Sequence, residues 1–149
     1  MRVGSKGRYA VIALVDVAAN SAKGPVALAE VSARQKISLS YLEQLFAMLR
    51  REGLVASSRG PGGGYRLQRP AKEITIGEVF QAVEETRNAE LGRDWKAEGH
   101  PTAGLWSALD DHIRDFLQGV SIGDVMLGRL NGQHSGGSKR RMDGGLSAE

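Results

Sequence analysis

The side chains best suited to chemistry follow a short turn near residue 37. The polar or hydroxyl-bearing residues at this place are Ser38, Ser40, Tyr41, Glu43 and Gln44. Glutamine can pair with adenine and glutamate can accept a hydrogen bond from cytosine N4, so such residues on the first turns of a helix suit the major groove of DNA. A solvated helix face can carry the same residues, and the neighbouring elements must decide between the two interpretations.

A second candidate is the glycine-rich segment Arg59-Gly60-Pro61-Gly62-Gly63-Gly64. It lacks the Lys-Ser/Thr ending and the following helix of a nucleotide-binding P-loop. Glycines let backbone N–H groups approach DNA phosphates, and an arginine beside them can enter a narrow minor groove. The segment therefore predicts DNA contacts, and basic residues near the N-terminus are further candidates for phosphate contacts. The residues in this prediction are Arg59, Gly60, Gly62, Gly63, Lys6 and Arg8.

Residues for catalysis are scarce. The three histidines, His100, His112 and His134, form no Ser/His/Asp spacing and no HExxH motif, so we expect no enzyme. The chain contains no cysteine, which excludes disulfides, thiolate zinc sites and all-cysteine iron–sulfur ligation.

Composition and charge limit the class of protein. The 149 residues are 41% hydrophobic and 25% charged, as in a globular domain. No run approaches the ~20 apolar residues of a membrane span, and we expect a cytoplasmic protein without membrane contact. Residues 1–75 carry 12 Lys/Arg and 5 Asp/Glu (net +7), whereas residues 76–130 carry 5 and 10 (net −5). This asymmetry is typical of a polyanion-binding module joined to another element.

Hydrophobic periodicity and turn residues predict the elements that position these groups. The predicted helices are Ser5–Asn20, Leu28–Gln35, Ser40–Glu52, Thr75–Glu85, Leu105–Leu117 and Ser121–Leu127, and the predicted strands are Leu54–Ser58 and Tyr65–Leu67. We expect Ser5 to cap the first helix, and Ser40 with Glu43 to form a capping box on the third. The apolar stripe of the first helix is expected to include Tyr9 and Ile12.

Three helices followed by a hairpin indicate a winged helix-turn-helix. The expected fold is mainly α with a small β-hairpin wing and a long C-terminal helix. Residues 1–75 form the expected DNA-binding domain. Residues 76–130 hold a connecting helix, a loop (86–101) and the long helix, and residues 131–149 form a disordered tail.

Three segments are more specific than a generic helix-turn-helix: residues 1–10, Ile37-Ser-Leu-Ser-Tyr-Leu-Glu-Gln-Leu-Phe46, and Val55 through Tyr65 with its Arg59-Gly-Pro-Gly-Gly-Gly run. With Ile76-Gly-Glu-Val79 and Gly104-Leu-Trp106, they resemble the IscR-like family of winged-helix, iron–sulfur cluster regulators over residues 1–130. The resemblance implies a homodimeric bacterial transcription regulator. Because two-fold symmetry in the protein would match two-fold symmetry in the DNA, we expect it to bind a near-palindromic duplex. It implies major-groove contacts from Ser40, Glu43 and Gln44 and a minor-groove contact from Arg59. It also implies dimerisation through the long helix, which matches about Leu105 to Leu117. On that helix we expect the dimer contacts at Leu105, Leu109, Ile113 and Phe116.

This chain differs from the family in the residues that bind its [2Fe-2S] cluster. The family's loop supplies three cysteines and a histidine, whereas this chain has no cysteine and places Ala103 at the histidine position. No cofactor is therefore predicted, and His100, Asp94 and Glu98 are weak metal candidates. Natural loss of the cluster, an alternative ligand set, and replacement of cysteines by Ala89, Ala97 and Ala103 all fit the sequence.

Three functional hypotheses follow. The first is a DNA-binding regulator of iron–sulfur assembly or iron-homeostasis genes. The second is an iron or redox sensor with non-cysteine ligands, and the third is a regulator controlled by a protein partner.

Overall fold

The computed structural model describes residues 3–84 and 98–130, in which six α-helices surround one hydrophobic core. The helices are α1 (Ser5–Ala19), α2 (Leu28–Gln35), α3 (Leu39–Arg51), α4 (Ile76–Val83), α5 (Ala103–Gln118) and α6 (Ile122–Leu127). The strands are β1 (Val55–Ser58) and β2 (Gly64–Leu67), and a short 3₁₀ turn covers Ala71–Glu73. The predicted fold, mainly helical with a small hairpin, is confirmed.

The core lies where α1, α3 and α4 meet. Helix α3 buries Leu42, Leu45, Phe46 and Leu49, each with no exposed surface. These positions are spaced i, i+3, i+4 and i+7, so the predicted apolar face of α3 is confirmed. The opposite face of the helix is left in solvent.

Helix α1 uses a different face from the one predicted. The buried residues are Gly7, Ala10, Ala13, Leu14, Asp16 and Val17. Tyr9 and Ile12 are 41% and 40% exposed, so their placement on the apolar stripe was wrong. Gly7 on the inner face lets α1 approach α4 closely, and Leu14 and Val17 pack inward, whereas Tyr9 and Ile12 lie on the outer face.

Two helix starts also differ from the prediction. The N-cap of α1 is Gly4, not Ser5, so the cap position has no side chain that could make a capping bond. The N-cap of α3 is Ser38, whose Oγ accepts a hydrogen bond from the Tyr41 N–H at 3.1 Å. The predicted Ser40–Glu43 capping box is therefore absent, because the N-cap lies two residues earlier, at Ser38, directly after the buried Ile37.

The chain returns to the core after α5. Val120 and Ile122 are buried, and backbone bonds join Ile76 N–H to the Val120 carbonyl and Ile122 N–H to the Ile74 carbonyl, both at 2.8 Å. Ser121 and Asp124 form a reciprocal capping box at the start of α6. The hydrophobic core thus continues across residue 75, and the domain boundary there stays a prediction.

Some predicted segments lie outside the described residues: positions 86–97 of the loop and the tail 131–149. Within the described ranges, no helix is long and apolar enough to span a membrane.

Candidate nucleic-acid interface

The N-terminal turn of α3 presents the polar residues selected from the sequence. Ser38, Ser40, Glu43 and Gln44 are all exposed. The Ser38 and Ser40 hydroxyl oxygens lie 3.2 Å apart, and Ser38 also accepts the Tyr41 N–H. One helix face therefore fills the core while the other offers acceptors and donors to a partner, as a recognition helix requires.

Tyr41 differs from its polar neighbours because its ring packs against the protein. It is half-buried, and it meets the Tyr9 ring edge-to-face with the centroids 5.7 Å apart. Burial raises the pKa of Tyr41, and the nearby Tyr9 and Glu84 raise it further. Tyr41 therefore joins α3 to α1, and its predicted DNA contact stays a prediction.

An ion pair missed by the sequence analysis joins α1 to α2. The Asp16 carboxylate is buried, and it accepts hydrogen bonds from Arg34 Nη2 at 2.7 Å, Arg34 Nε at 3.0 Å and Gln35 Nε2 at 2.8 Å. Burial opposes ionisation of Asp16, but the bonds from Arg34 and Gln35, the Arg34 charge and a bond from Asn20 together hold its pKa below the ordinary value. The sequence feature that could have indicated this ion pair is an acidic residue, Asp16, within the otherwise apolar part of α1.

The turn between α2 and α3 is closed by two local interactions. Lys36 adopts the left-handed conformation (φ 60°) and ends α2, with its N–H bonded to the Ser32 carbonyl at 2.9 Å. The Ser32 hydroxyl donates to the Ile37 carbonyl at 2.6 Å, and the Ile37 side chain is buried. The turn therefore fixes the direction in which α3 leaves α2.

The hairpin forms the predicted wing. Strands β1 and β2 pair antiparallel from Val55–Leu67 to Ser58–Gly64, with Arg59 exposed at the tip. Gly60 and Gly62 have positive φ values (87° and 75°), which favour glycine. A side chain at Gly63 would lie 2.4 Å from the Ser58 carbonyl oxygen, so the turn is too tight for one.

The base of the wing is attached to the core on two sides. Val26 and Tyr65 exchange two backbone hydrogen bonds of 2.8 Å, and the Tyr65 ring lies 4.9 Å from that of Phe46 in α3. Arg50 of α3 also donates to the Ser57 hydroxyl at 3.3 Å. The wing is therefore held against α3.

The remaining basic candidates lie on the first turns of α1. Lys6 is half-buried and Arg8 is exposed. Their contacts with phosphate stay predictions.

Helix α5 carries an apolar stripe that residues 3–84 and 98–130 leave exposed. Leu105, Leu109 and Phe116 are 58%, 47% and 48% exposed, and Ile113 is half-buried. The helix begins at Ala103, two residues before the predicted start, and has no fully buried residue. Such a stripe marks an interaction surface.

The loop does not offer a thiolate site. The chain has no cysteine, and the described residues contain no group of three or more His, Cys, Asp or Glu side chains that could hold a metal. His100 Nδ1 lies 3.0 Å from the Thr102 hydroxyl and 3.2 Å from its N–H, Glu98 is exposed, and Asp94 lies outside the described residues. The donor set does not fit the thiolate-ligated cluster of the resembled family.

Comparisons with known proteins agree with this geometry. The sequence pattern of the Rrf2 family, described as iron-dependent transcriptional regulators, matches residues 3–127. The chain belongs to the Rrf2 family. It is a transcriptional regulator with a DNA-binding helix-turn-helix and not an enzyme.

Relatives within the Rrf2 family are close. The chain is 52% identical over 130 residues to the HTH-type transcriptional regulators IscR of Cronobacter sakazakii and Pectobacterium carotovorum, covering 85% of this chain and 80% and 79% of theirs. The T. potens IscR structure matches with a TM-score of 0.71 at 34% identity over 92% of this chain and 94% of that one. CymR, the global cysteine regulator of B. subtilis, matches with a TM-score of 0.72 at 29% identity over 85% and 97%.

Proposed function

We propose that two copies of this chain pair through α5 and bind a near-palindromic duplex, with one α3 in the major groove of each half-site. The observation that carries the proposal is the division of α3 into a wholly buried apolar face and an exposed face with Ser40, Glu43 and Gln44. Two-fold symmetry in the protein would match two-fold symmetry in the operator.

Affinity and selectivity come from different parts of the interface. The positive charge of residues 1–75 attracts phosphates without regard to sequence, and this attraction weakens as salt is raised. The α3 side chains read base edges, and Arg59 at the wing tip enters the adjacent minor groove. Because its ligand is chromosomal DNA, the protein acts in the cytoplasm.

DNA binding by this chain needs no iron–sulfur cluster. All four residues that the family resemblance assigns to DNA (Ser40, Glu43, Gln44 and Arg59) are present, whereas no cysteine is. The family description and the IscR relatives support iron–sulfur assembly or iron-homeostasis genes as targets. The signal is then a ligand of other chemistry or a protein partner.

The test is selection of duplexes from a random pool by the full-length chain, followed by titration of the selected duplex with and without a metal chelator. We expect a near-palindromic sequence, binding that weakens steeply with salt, and no effect of the chelator. Arg59→Ala is expected to lower affinity most for sites that are A/T-rich beside the half-site. No enrichment over the starting pool would contradict sequence-specific binding, and loss of binding with chelator would contradict cluster-free binding.

A further inference from the structure

The first turn of α1 is capped by a residue that lies 80 positions after Gly4 in the sequence. Its own N-cap, Gly4, has no side chain to do so. The Glu84 carboxylate instead accepts hydrogen bonds on one oxygen, Oε2, from the Gly4 N–H at 3.1 Å and the Gly7 N–H at 2.8 Å. A carboxylate at a helix N-terminus satisfies free N–H groups and meets the positive end of the helix dipole.

The same residue stands where α4 ends against α1. Glu84 is the C-cap of α4, and Phe80, one turn before it, covers the backbone of Gly7. A Cβ at position 7 would lie only 2.3 Å from Phe80 Cδ2, so the two helices are in direct contact there. The N-terminus of α1 is therefore held by a carboxylate and an aromatic ring from one helix.

The contact continues from α1 to the recognition helix. Tyr9 follows the capped turn and packs edge-to-face on Tyr41 of α3. The negative charge of Glu84 is among the influences that raise the pKa of Tyr41, so the carboxylate and the tyrosine are close enough to interact. Tyr41 in turn donates its N–H to Ser38, the N-cap of α3.

We propose that Glu84 is a positioning residue for DNA reading. By capping α1 it fixes Tyr9 against Tyr41, and this sets the orientation at which the N-terminal turn of α3 meets the bases. This inference rests on the DNA-reading arrangement proposed above. Glu84 itself makes no contact with DNA in this arrangement, and its effect reaches the bases only through α1 and α3.

Positioning differs from two simpler roles in its effect on selectivity. Removal of a carboxylate that only repels phosphate would raise affinity for every duplex by the same factor. Removal of a group that only stabilises the fold would lower the melting temperature and leave both affinities of the folded protein unchanged. Loss of positioning lowers affinity for the preferred duplex and leaves affinity for random DNA in place.

The experiment measures the affinities of Glu84→Ala for the duplex selected by the wild-type chain and for a random duplex, at a temperature where circular dichroism shows both proteins folded. We expect affinity for the selected duplex to fall by about tenfold, the size of one hydrogen-bonded charge interaction. Affinity for the random duplex should stay as in the wild type. Glu84→Gln should restore most of the ratio of affinity for the selected duplex to affinity for the random duplex, because its amide oxygen can accept the same two N–H bonds.

Two further variants keep the test decisive. Glu78→Ala removes the partner of Arg69 on the same helix and should leave the ratio of affinities unchanged. Tyr9→Leu removes the ring contact at an exposed position, should lower the ratio as Glu84→Ala does, and decides the matter if Glu84→Ala does not fold. The double variant Glu84→Ala/Tyr9→Leu should lower the ratio of affinities no further than either single variant, since both substitutions act through the contact between Tyr9 and Tyr41.

An unchanged ratio in folded Glu84→Ala, an equal gain for both duplexes, or an equal loss in Glu78→Ala would each overturn this inference alone. A wild-type chain that selects no duplex would overturn the proposed function and this inference with it.

Discussion

Arg34 and Asp16 form a forked ion pair that ties the first helix of the helix-turn-helix to α1, with Arg34 Nη2 2.7 Å from Asp16 Oδ1 and Nε 3.0 Å from Oδ2. The carboxylate is buried, while the arginine side chain is 38% exposed. Two parallel N–H bonds fix an angle as well as a distance, so the pair orients α2, and through the turn at Ile37 it orients α3.

The ionised form of Asp16 stabilises the fold, because its pKa in the folded protein lies below the ordinary value of 3.8. The stabilisation is complete above that value and is lost as pH falls through the lower, folded-state pKa. We expect Asp16→Asn to lower the free energy of unfolding by about 1–3 kcal/mol at pH 7, and the gap from the wild type to close in strong acid. Urea unfolding at a series of pH values measures this gap.

Asp111→Asn is the matched control for the pH series. Asp111 lies 2.9 Å from Arg114 on the surface of α5, with 64% of its side chain exposed. An exposed pair of this kind contributes about 0–1 kcal/mol, so the control should follow the wild type throughout. A gap for Asp16→Asn that did not change with pH would contradict the ionic role of this carboxylate.

The turn between α2 and α3 contains a residue whose backbone suits glycine better. Lys36 has φ 60° and ψ 41°, a conformation that costs a non-glycine residue about 1 kcal/mol. We expect Lys36→Gly to unfold at a higher urea concentration than Lys36→Ala. Both variants lose the same charge, so any change in DNA affinity caused by that charge should be equal in the two. Equal stability of the two variants would show that the left-handed conformation is not strained.

The close approach of α1 and α4 depends on the missing side chain at Gly7. A Cβ there would meet the buried Phe80 ring at 2.3 Å, and we expect Gly7→Ala to cost about 1–3 kcal/mol of stability. The control is Gly104→Ala in α5, where a Cβ would meet no atom of the described residues within 4 Å, apart from its chain neighbours and the backbone of its own helix. Thermal unfolding should show a lower midpoint for the first variant and an equal or higher one for the second. A second substitution, Phe80→Leu, should relieve part of the loss at Gly7.

The parts of the fold that the sequence predicted well are those in which local pattern and tertiary contact agree. In α3 the large apolar side chains recur at helical spacing and all are buried, so their face follows from the sequence. In α1 the buried face contains Leu14 and Val17 but is completed by Gly7, Ala10 and Ala13, which carry little pattern, whereas Tyr9 is exposed and packs on Tyr41. A close helix contact through small residues is invisible to an analysis that follows the largest side chains.

Some features of the candidate site follow from the sequence pattern and others do not. The exposure of Ser40 and Glu43 follows from the apolar face opposite them. The caps do not follow, because Ser38 and Ser40 both lie where α3 starts, and Ser38, directly after the buried Ile37, takes the N-cap position. The hydrogen bond from the Gly7 N–H to Glu84 joins residues 77 positions apart, so no local sequence pattern predicts it.

The exposed stripe of α5 predicts the oligomeric state. Leu109→Glu places a charge at its centre, and we expect this variant to sediment as a single chain at micromolar concentration, whereas the wild type sediments as a dimer. Ser107→Glu adds the same charge on the opposite side of the helix and should leave the dimer intact. A Leu109→Glu dimer as tight as that of the wild type would exclude this stripe as the interface.

Glu43 predicts how the protein discriminates between sequences. Its carboxylate is exposed on the face of α3 that we propose reads the bases. We therefore expect it to repel phosphates and to be tolerated only where a donor such as cytosine N4 can meet it. We expect Glu43→Ala to bind its best duplex about as well as the wild type does and to accept duplexes that the wild type rejects. A repeated selection from a random pool measures this as a loss of base preference at one position of each half-site.

Glu52→Ala is the matched control for Glu43→Ala, because Glu52 is also exposed but lies at the C-terminal end of the same helix. It removes the same charge away from the polar turn, so it should leave the base preference unchanged at every position. Equal loss of affinity by Glu43→Ala for every duplex would mean that the carboxylate supports binding as a whole. Discrimination would then have to come from Ser40 and Gln44, the other polar side chains of that turn.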